Sequence, residues 1–274
     1  MSFSPDDIRH MSEAIQLARR GRFTTQPNPR VGCVIVKDGV VVGTGYHARA
    51  GGPHAEVVAL KQAGYRAYGA TAYVTLEPCA HHGRTPPCAN ELVIAGLNRV
   101  VVAMEDPNPL VAGKGMDILR QAGITAESDL LADEARALNP GFLRRIKGGL
   151  PWTRVKLAAS LDGRTAAASG ESKWITGPDA RRDVQLWRAM SSAIITGIGT
   201  VLADDPALTV RPDECEDWDH GEPVQPWRVV LDTDFRTPLT AKILKQPGRT
   251  IIVGIRSQLP RQTALRDAGA EIWV

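Results

Sequence analysis

Two stretches of the chain hold the residues best suited to chemistry. "PHAEVVAL" places His54 and Glu56 at the start of a helical pattern, behind a Gly-Gly-Pro turn. "TLEPCAHHGRTPPCAN" packs Cys79, Cys88, His81 and His82 into residues 75–90. Cys79 follows Pro78 at the end of a strand pattern, and Cys88 follows Pro86-Pro87 at the head of a helical one. One imidazole and two thiolates make three ligands for a tetrahedral zinc ion and leave the fourth position open, which is the catalytic form of such a site rather than the closed structural form. Two thiolates cancel the charge of the ion, so a bound water is acidified less than by neutral ligands. A nearby carboxylate is then useful to take its proton, and Glu56 is the candidate. Helix N-termini would stabilise both thiolates. Other readings of the same residues stand beside this one: a Cys79–Cys88 disulfide, a closed zinc site completed by His81 or His82, or two buried thiols. The zinc-site and buried-thiol alternatives leave the His-Ala-Glu triplet unexplained.

The elements that must position these groups follow from the wider pattern. At 274 residues the chain suggests two domains, and 43% hydrophobic with 23% charged residues is ordinary for a globular protein. No apolar run approaches the ~20 residues needed to span a bilayer, and the N-terminus lacks the apolar stretch of a signal peptide. A cytosolic location without a membrane partner is therefore expected, where four cysteines are reduced or metal-bound rather than bridged. A net charge of +3 with scattered basic residues gives no track for nucleic acid, so no such partner is expected. The chain has no internal repeat and no low-complexity segment.

A helix is expected over 5–20, with Ser4 as N-cap, Pro5 in the first turn and Gly21 past its end. Two β-rich runs over 31–48 turn at Asp38-Gly39, a hairpin signal. Helix 54–64, strand 70–76, helix 86–96, strand 99–104 and helices near 115–122 and 130–139 complete an α/β layered first domain, 1–147. A helix end, a basic turn, Gly-Gly and Pro mark the boundary, and a second α/β domain occupies 148–274. There the pattern reads strand 153–159, helix 178–190, strands 193–198, 228–232 and 249–255, and helix 260–268. The final "AEIWV" reads as the beginning of a strand, so the second domain is expected to be incomplete. Cys33, among valines in a strand pattern, reads as core.

The His-x-Glu and Pro-Cys pattern is that of the zinc deaminases, although eight residues separate the cysteines here where the common form has two. "HAE", "TLEPCAHHGRTPPC" and "DPNP" together resemble the bifunctional deaminase–reductases of riboflavin biosynthesis, whose expanded cysteine spacing is the same. The resemblance extends to "PNPRVGCVIVKDG" (27–39), "EDPNPLVAGKG" (105–115), "KLAASLDGRTAAASGESKWIT" (156–176) and "GTVLADDPALTVR" (199–211). It implies a cytidine-deaminase-like three-layer α/β/α domain followed by a dihydrofolate-reductase-like α/β domain, partial here because the family's reductase continues past Val274.

The implied chemistry is hydrolytic deamination of a phosphoribosylamino-diaminopyrimidinone, with one Zn2+ on His54, Cys79 and Cys88 and Glu56 shuttling protons. Reduction of the ribosyl chain by NADPH would follow. The resemblance also implies a homo-oligomer and places Asn28, His47, His81, Arg84, Asp106 and Asn108 around the deaminase substrate. On their residue types alone, Asn28, Asp106 and Asn108 read first as turn residues, each standing beside proline. NADPH would meet Ala158, Trp174, Thr200 and Asp204, and the reductase substrate would meet Lys156, Ser172, Arg188, Leu208 and Arg211. "TGIGTVLAD" (196–204) lacks the third glycine of a Rossmann fingerprint, in keeping with a reductase of another fold. A deaminase of nucleosides or tRNA with an idle second domain is the alternative reading.

Overall fold

The structure is a computed structural model that describes residues 3–80, 86–108, 112–215, 218, 221–256 and 258–274. It divides into two compact units, Met1–Arg154 and Val155–Val274.

The first unit begins with α1 (Pro5–Arg19), whose Ser4 and Asp7 form the reciprocal hydrogen bonds of a capping box. The hairpin expected at Asp38-Gly39 is β1 (Gly32–Lys37) and β2 (Val40–Tyr46), with a bulge between Ile35 and Val36. Then come α2 (Ala55–Ala63), β3 (Thr71–Val74), α3 (Cys88–Ile94), β4 (Arg99–Val102), α4 (Lys114–Gln121), β5 (Thr125–Glu127), α5 (Ala132–Leu138) and α6 (Pro140–Ile146). The five strands lie in the order β2-β1-β3-β4-β5. β1 runs antiparallel to both its neighbours, and β3, β4 and β5 run parallel.

Alternation along the strands divides the core in two. Cys33, Ile35, Ala72, Val74, Val100 and Val102 face α2, α3 and α4, whereas Val34, Val36, Tyr73 and Val101 face α1 and α5. The result is the expected three-layer α/β/α arrangement, with Cys33 fully buried in its core. The layer under α1 also holds an ionic tie. Arg99 Nη1 donates to Asp7 Oδ1 and Arg99 Nε to Glu127 Oε2, each at 2.6 Å, and the Tyr73 hydroxyl donates to Asp7 at 2.7 Å. Burial raises the Asp7 pKa, but Arg99, Tyr73 and Ser4 outweigh it and hold the carboxyl well below its usual range.

The second unit contains α7 (Pro178–Ala189), β6 (Ala193–Gly197), α8 (Ile198–Asp204), β7 (Trp227–Leu231), β8 (Thr250–Val253), α9 (Leu259–Asp267) and β9 (Glu271–Trp273). Its strands form a parallel sheet in the order β6-β7-β8-β9. Val230, Ile252, Phe235, Ile243 and Leu265 make the core on one side of that sheet. The terminal "EIW" pairs with β8 as β9, the strand that the sequence pattern anticipates.

Three expectations differ from the structure. Residues 153–159 form no strand, and Val155 and Leu157 stand 77% and 81% exposed. An alternating pattern becomes a strand only where a neighbour completes its hydrogen-bond ladder, and no described strand does so here. Residues 140–146, taken as part of the interdomain boundary, form α6, with Pro140 set at its first turn where a missing N–H costs nothing. Residues 198–204, where the pattern gives no helix, form α8 directly after β6.

Candidate functional site

The ends of three first-unit elements carry a cluster of residues able to hold a metal. His54 is the N-cap of α2, Cys79 follows β3, and Cys88 opens α3. The position of α2 is fixed by close packing on β2, with Ala55, Ala59 and Ala63 buried beneath it. A Cβ at Gly45 would lie 2.2 Å from the Ala55 carbonyl oxygen, and one at Gly43 would lie 2.3 Å from that of Ala59. Only glycine lets the two backbones approach so closely, and an added methyl would cost about 1–3 kcal/mol or more in strain. That approach sets His54 and Glu56 against the sheet.

His54 Nδ1 lies 3.2 Å from Cys88 Sγ and 3.7 Å from Cys79 Sγ, and the three donor atoms all fall within 4.8 Å of one another. A zinc tetrahedron with ordinary Zn–S and Zn–N bonds has edges of about 3.5–3.8 Å, so the donor set fits the ion. The two sulfurs shift each other's pKa in opposite directions. Cys79 is drawn well below the usual thiol range by the Cys88 thiol, assisted by His54 and the Cys88 backbone N–H at 3.3 Å, while Cys88 is pushed up by the same partner. A thiol already poised as thiolate is the form that binds a metal.

Glu56, in the first turn of α2, is 3% exposed. Burial pushes its carboxyl up to about 7. A carboxyl near neutrality can both accept and return a proton.

Asn28 and His47 join the cluster. His47 Nδ1 lies 2.9 Å from the Pro53 carbonyl oxygen, which can only accept, so this nitrogen carries the proton. Nε2 then accepts from Asn28 Nδ2 at 3.2 Å. The His47 ring meets the His54 ring edge-on at 5.5 Å, and burial lowers its pKa. Asp106 Oδ1 accepts from the Asn108 N–H at 2.9 Å, the turn geometry anticipated for this Asp-Pro-Asn sequence. His81 and Arg84 lie outside the described residues.

Glu77 is absent from the residues singled out by sequence. It is 4% exposed and accepts four backbone N–H groups. The available signal was an acidic residue between Leu76 and Pro78, at a strand end that the pattern otherwise reads as buried.

In the second unit, Arg188 and Arg211 lie close enough for their charges to act on each other, and Leu208 packs against the core beside Val230 and Phe235. Arg188 Nη1 donates to the Thr209 carbonyl at 2.9 Å, and Gln185 Oε1 accepts from the Arg211 N–H at 3.2 Å. Arg211 also pairs with Glu214 at 2.9 Å. Burial first, and then the Arg211 charge, lowers the Arg188 pKa. Lys156, Ala158, Ser172 and Trp174 lie on the stretch 151–177, which contains neither helix nor strand. Trp174 stacks under the Arg181 guanidinium at 4.4 Å. Thr200 and Asp204 are exposed on α8.

Comparison with known proteins completes the assignment. Residues 4–104 match the cytidine and deoxycytidylate deaminase zinc-binding region, and residues 151–266 match the RibD C-terminal domain. Fold and site thus define a zinc-dependent deaminase unit joined to a reductase unit. The chain is 59% identical to the riboflavin biosynthesis protein RibD of Escherichia coli (strain K12) over 249 residues, which are 89% of this chain and 68% of that protein. It is 44% identical to RibD of Aquifex aeolicus, over 98% of this chain and 73% of that one. The solved structure of Acinetobacter baumannii RibD, form 1, superposes with a TM-score of 0.90 at 56% identity, covering 97% of this chain and 73% of that one. A Thermotoga maritima diaminohydroxyphosphoribosylaminopyrimidine deaminase/5-amino-6-(5-phosphoribosylamino)uracil reductase gives a TM-score of 0.85 at 35% identity, covering 98% and 74%. The chain belongs to the RibD family of bifunctional deaminase–reductases of riboflavin biosynthesis.

Proposed function

We propose that the first unit deaminates 2,5-diamino-6-(5-phosphoribosylamino)pyrimidin-4-one, with His54 Nδ1, Cys79 Sγ and Cys88 Sγ as the zinc ligands and Glu56 as the proton carrier. The observation that carries this reading is His54 Nδ1 facing both sulfurs, with the buried Glu56 carboxyl two residues further along the chain. Zinc bound there supplies an acidified water as the nucleophile. Glu56 takes the two protons of that water in turn, passing one to the ring nitrogen beside the reacting carbon and the other to the departing amine, so that ammonia leaves and a carbonyl remains on the ring. Burial, and to a smaller extent Cys79, favour the neutral carboxyl, whereas its own backbone N–H, His54 and Cys88 favour the charged one, and that balance suits a group that must do both jobs.

Asn28 is held by His47 so that its amide N–H is engaged and its carbonyl oxygen is left to accept from the substrate. His47, Asp106 and Asn108 complete the described part of that pocket, and the family motif adds His81 and Arg84.

The second unit, residues 148–274 in the sequence reading, reduces the ribosyl chain with NADPH, the cofactor of the RibD reductase domain. Arg188, Leu208 and Arg211 line its substrate side, where two guanidiniums suit a phosphate. Lys156 and Ser172 for the substrate, and Ala158, Trp174, Thr200 and Asp204 for NADPH, are assigned from the family motifs. No observation favours a nucleoside or tRNA deaminase with an idle second unit. The described residues contain no helix long and apolar enough to cross a membrane. A homo-oligomer in the cytoplasm is part of the proposal and rests on the family alone.

Ammonia release tests the substrate assignment. Turnover of the phosphoribosylamino-pyrimidine is expected, with cytidine at least ~100-fold poorer, because a site built to pair with polar substrate groups rejects a ligand that lacks them. Turnover of cytidine alone would contradict it.

A further inference from the structure

The carboxylate of Glu77 serves none of the steps above, yet it has a dense and specific set of partners. Its Oε2 accepts from the N–H groups of Asp106 and Gly113, each at 3.0 Å. Its Oε1 accepts from those of Gly115 at 2.8 Å and Met116 at 3.3 Å. Gly115 and Met116 are in the first turn of α4, whose N-cap Gly113 offers no side-chain cap. The orphan donors of that turn are met by a residue from the far side of the sequence. The two Oε2 partners stand at the two ends of the segment that begins with Asp106 and closes at Gly113, so one oxygen holds both ends. Within that segment the Asn108 N–H bonds to Asp106 Oδ1 and the Ala112 N–H bonds to the Asn108 carbonyl at 2.8 Å. A Cβ at Gly115 would lie 2.0 Å from the Pro78 carbonyl oxygen, so α4 is pressed directly on the Glu77-Pro78 backbone. The next residue is Cys79.

We propose that Glu77 is a positioning residue for deamination, tying the turn that bears Asp106 and Asn108 to the turn that bears the Cys79 ligand. It fixes the distance between the group that holds the metal and the groups that hold the pyrimidine. The inference rests on the assignment of Asp106 and Asn108 to the substrate pocket. A carboxylate is required because all four partners are donors. A glutamine of the same shape has one oxygen and one NH2, so either Asp106 and Gly113 or Gly115 and Met116 would face a donor.

Glu77→Gln is therefore expected to keep its zinc while the deaminase KM rises about 10- to 100-fold and kcat changes less than about threefold, the mark of lost substrate binding. Combining it with Asp106→Ala should leave KM no worse than Asp106→Ala alone, since both changes disable one turn. An unchanged KM in Glu77→Gln, or additive effects in the double variant, would overturn the inference. An unchanged KM in Asp106→Ala would instead remove Asp106 from the pocket, and with it the turn that Glu77 is said to position. Should Glu77→Gln fail to fold, amide exchange in the wild-type enzyme decides: Asp106 and Gly113 should be protected, and fast exchange at both rejects the tie.

Discussion

Glu56→Gln is expected to lower the deamination rate by about 10²- to 10⁴-fold, the usual share of a general acid–base group, while zinc stays near one per chain. The variant keeps the shape of the side chain and removes its ability to take and return a proton. Glu56 is buried in the first turn of α2 and is not one of the three clustered donor atoms, so metal content has no reason to fall. NADPH oxidation by the second unit, supplied with the deaminated intermediate, should be unchanged. Ammonia release and metal analysis on the same preparation check both halves. A deamination rate within a few-fold of wild type would remove Glu56 from its role.

Cys88→Ser is expected to have a comparably large effect by a different route. Ser offers a hydroxyl that remains protonated near neutral pH in place of a thiol that zinc can deprotonate. The remaining pair, His54 and Cys79, would be two ligands in place of three. Zinc content should fall well below one per chain after dialysis, and ammonia release should fall with it. A Cys88→Ser enzyme that retained both would show that the metal is held elsewhere.

The fates of these residues show what the sequence could convey. The motif chemistry of His54, Glu56, Cys79 and Cys88 is local, each residue sitting at a helix start or strand end that Pro and Gly punctuate, and the structure brings the three candidate ligands together. The Asp38-Gly39 hairpin and α1 with its Ser4 cap were legible for the same reason. Glu77 was not, because its four partners lie 29 to 39 residues away in sequence and are backbone groups, which leave no side-chain pattern to read. The stretch 153–159 fails in the opposite direction. Its alternating pattern is real, but a strand is a property of a pair, and the pattern names no partner. The approach of α2 to β2 could be seen only as glycines at 43 and 45, and their meaning depends on where the helix lands.

The central claim is that zinc sits on one imidazole and two thiolates with its fourth position open to solvent. X-ray absorption at the zinc edge of the metal-loaded enzyme tests it most directly. Two sulfur and two lighter scatterers are expected, with the outer-shell signature of a single imidazole. Two imidazoles beside two sulfurs would place His81 or His82 on the metal, close the fourth position and contradict the account.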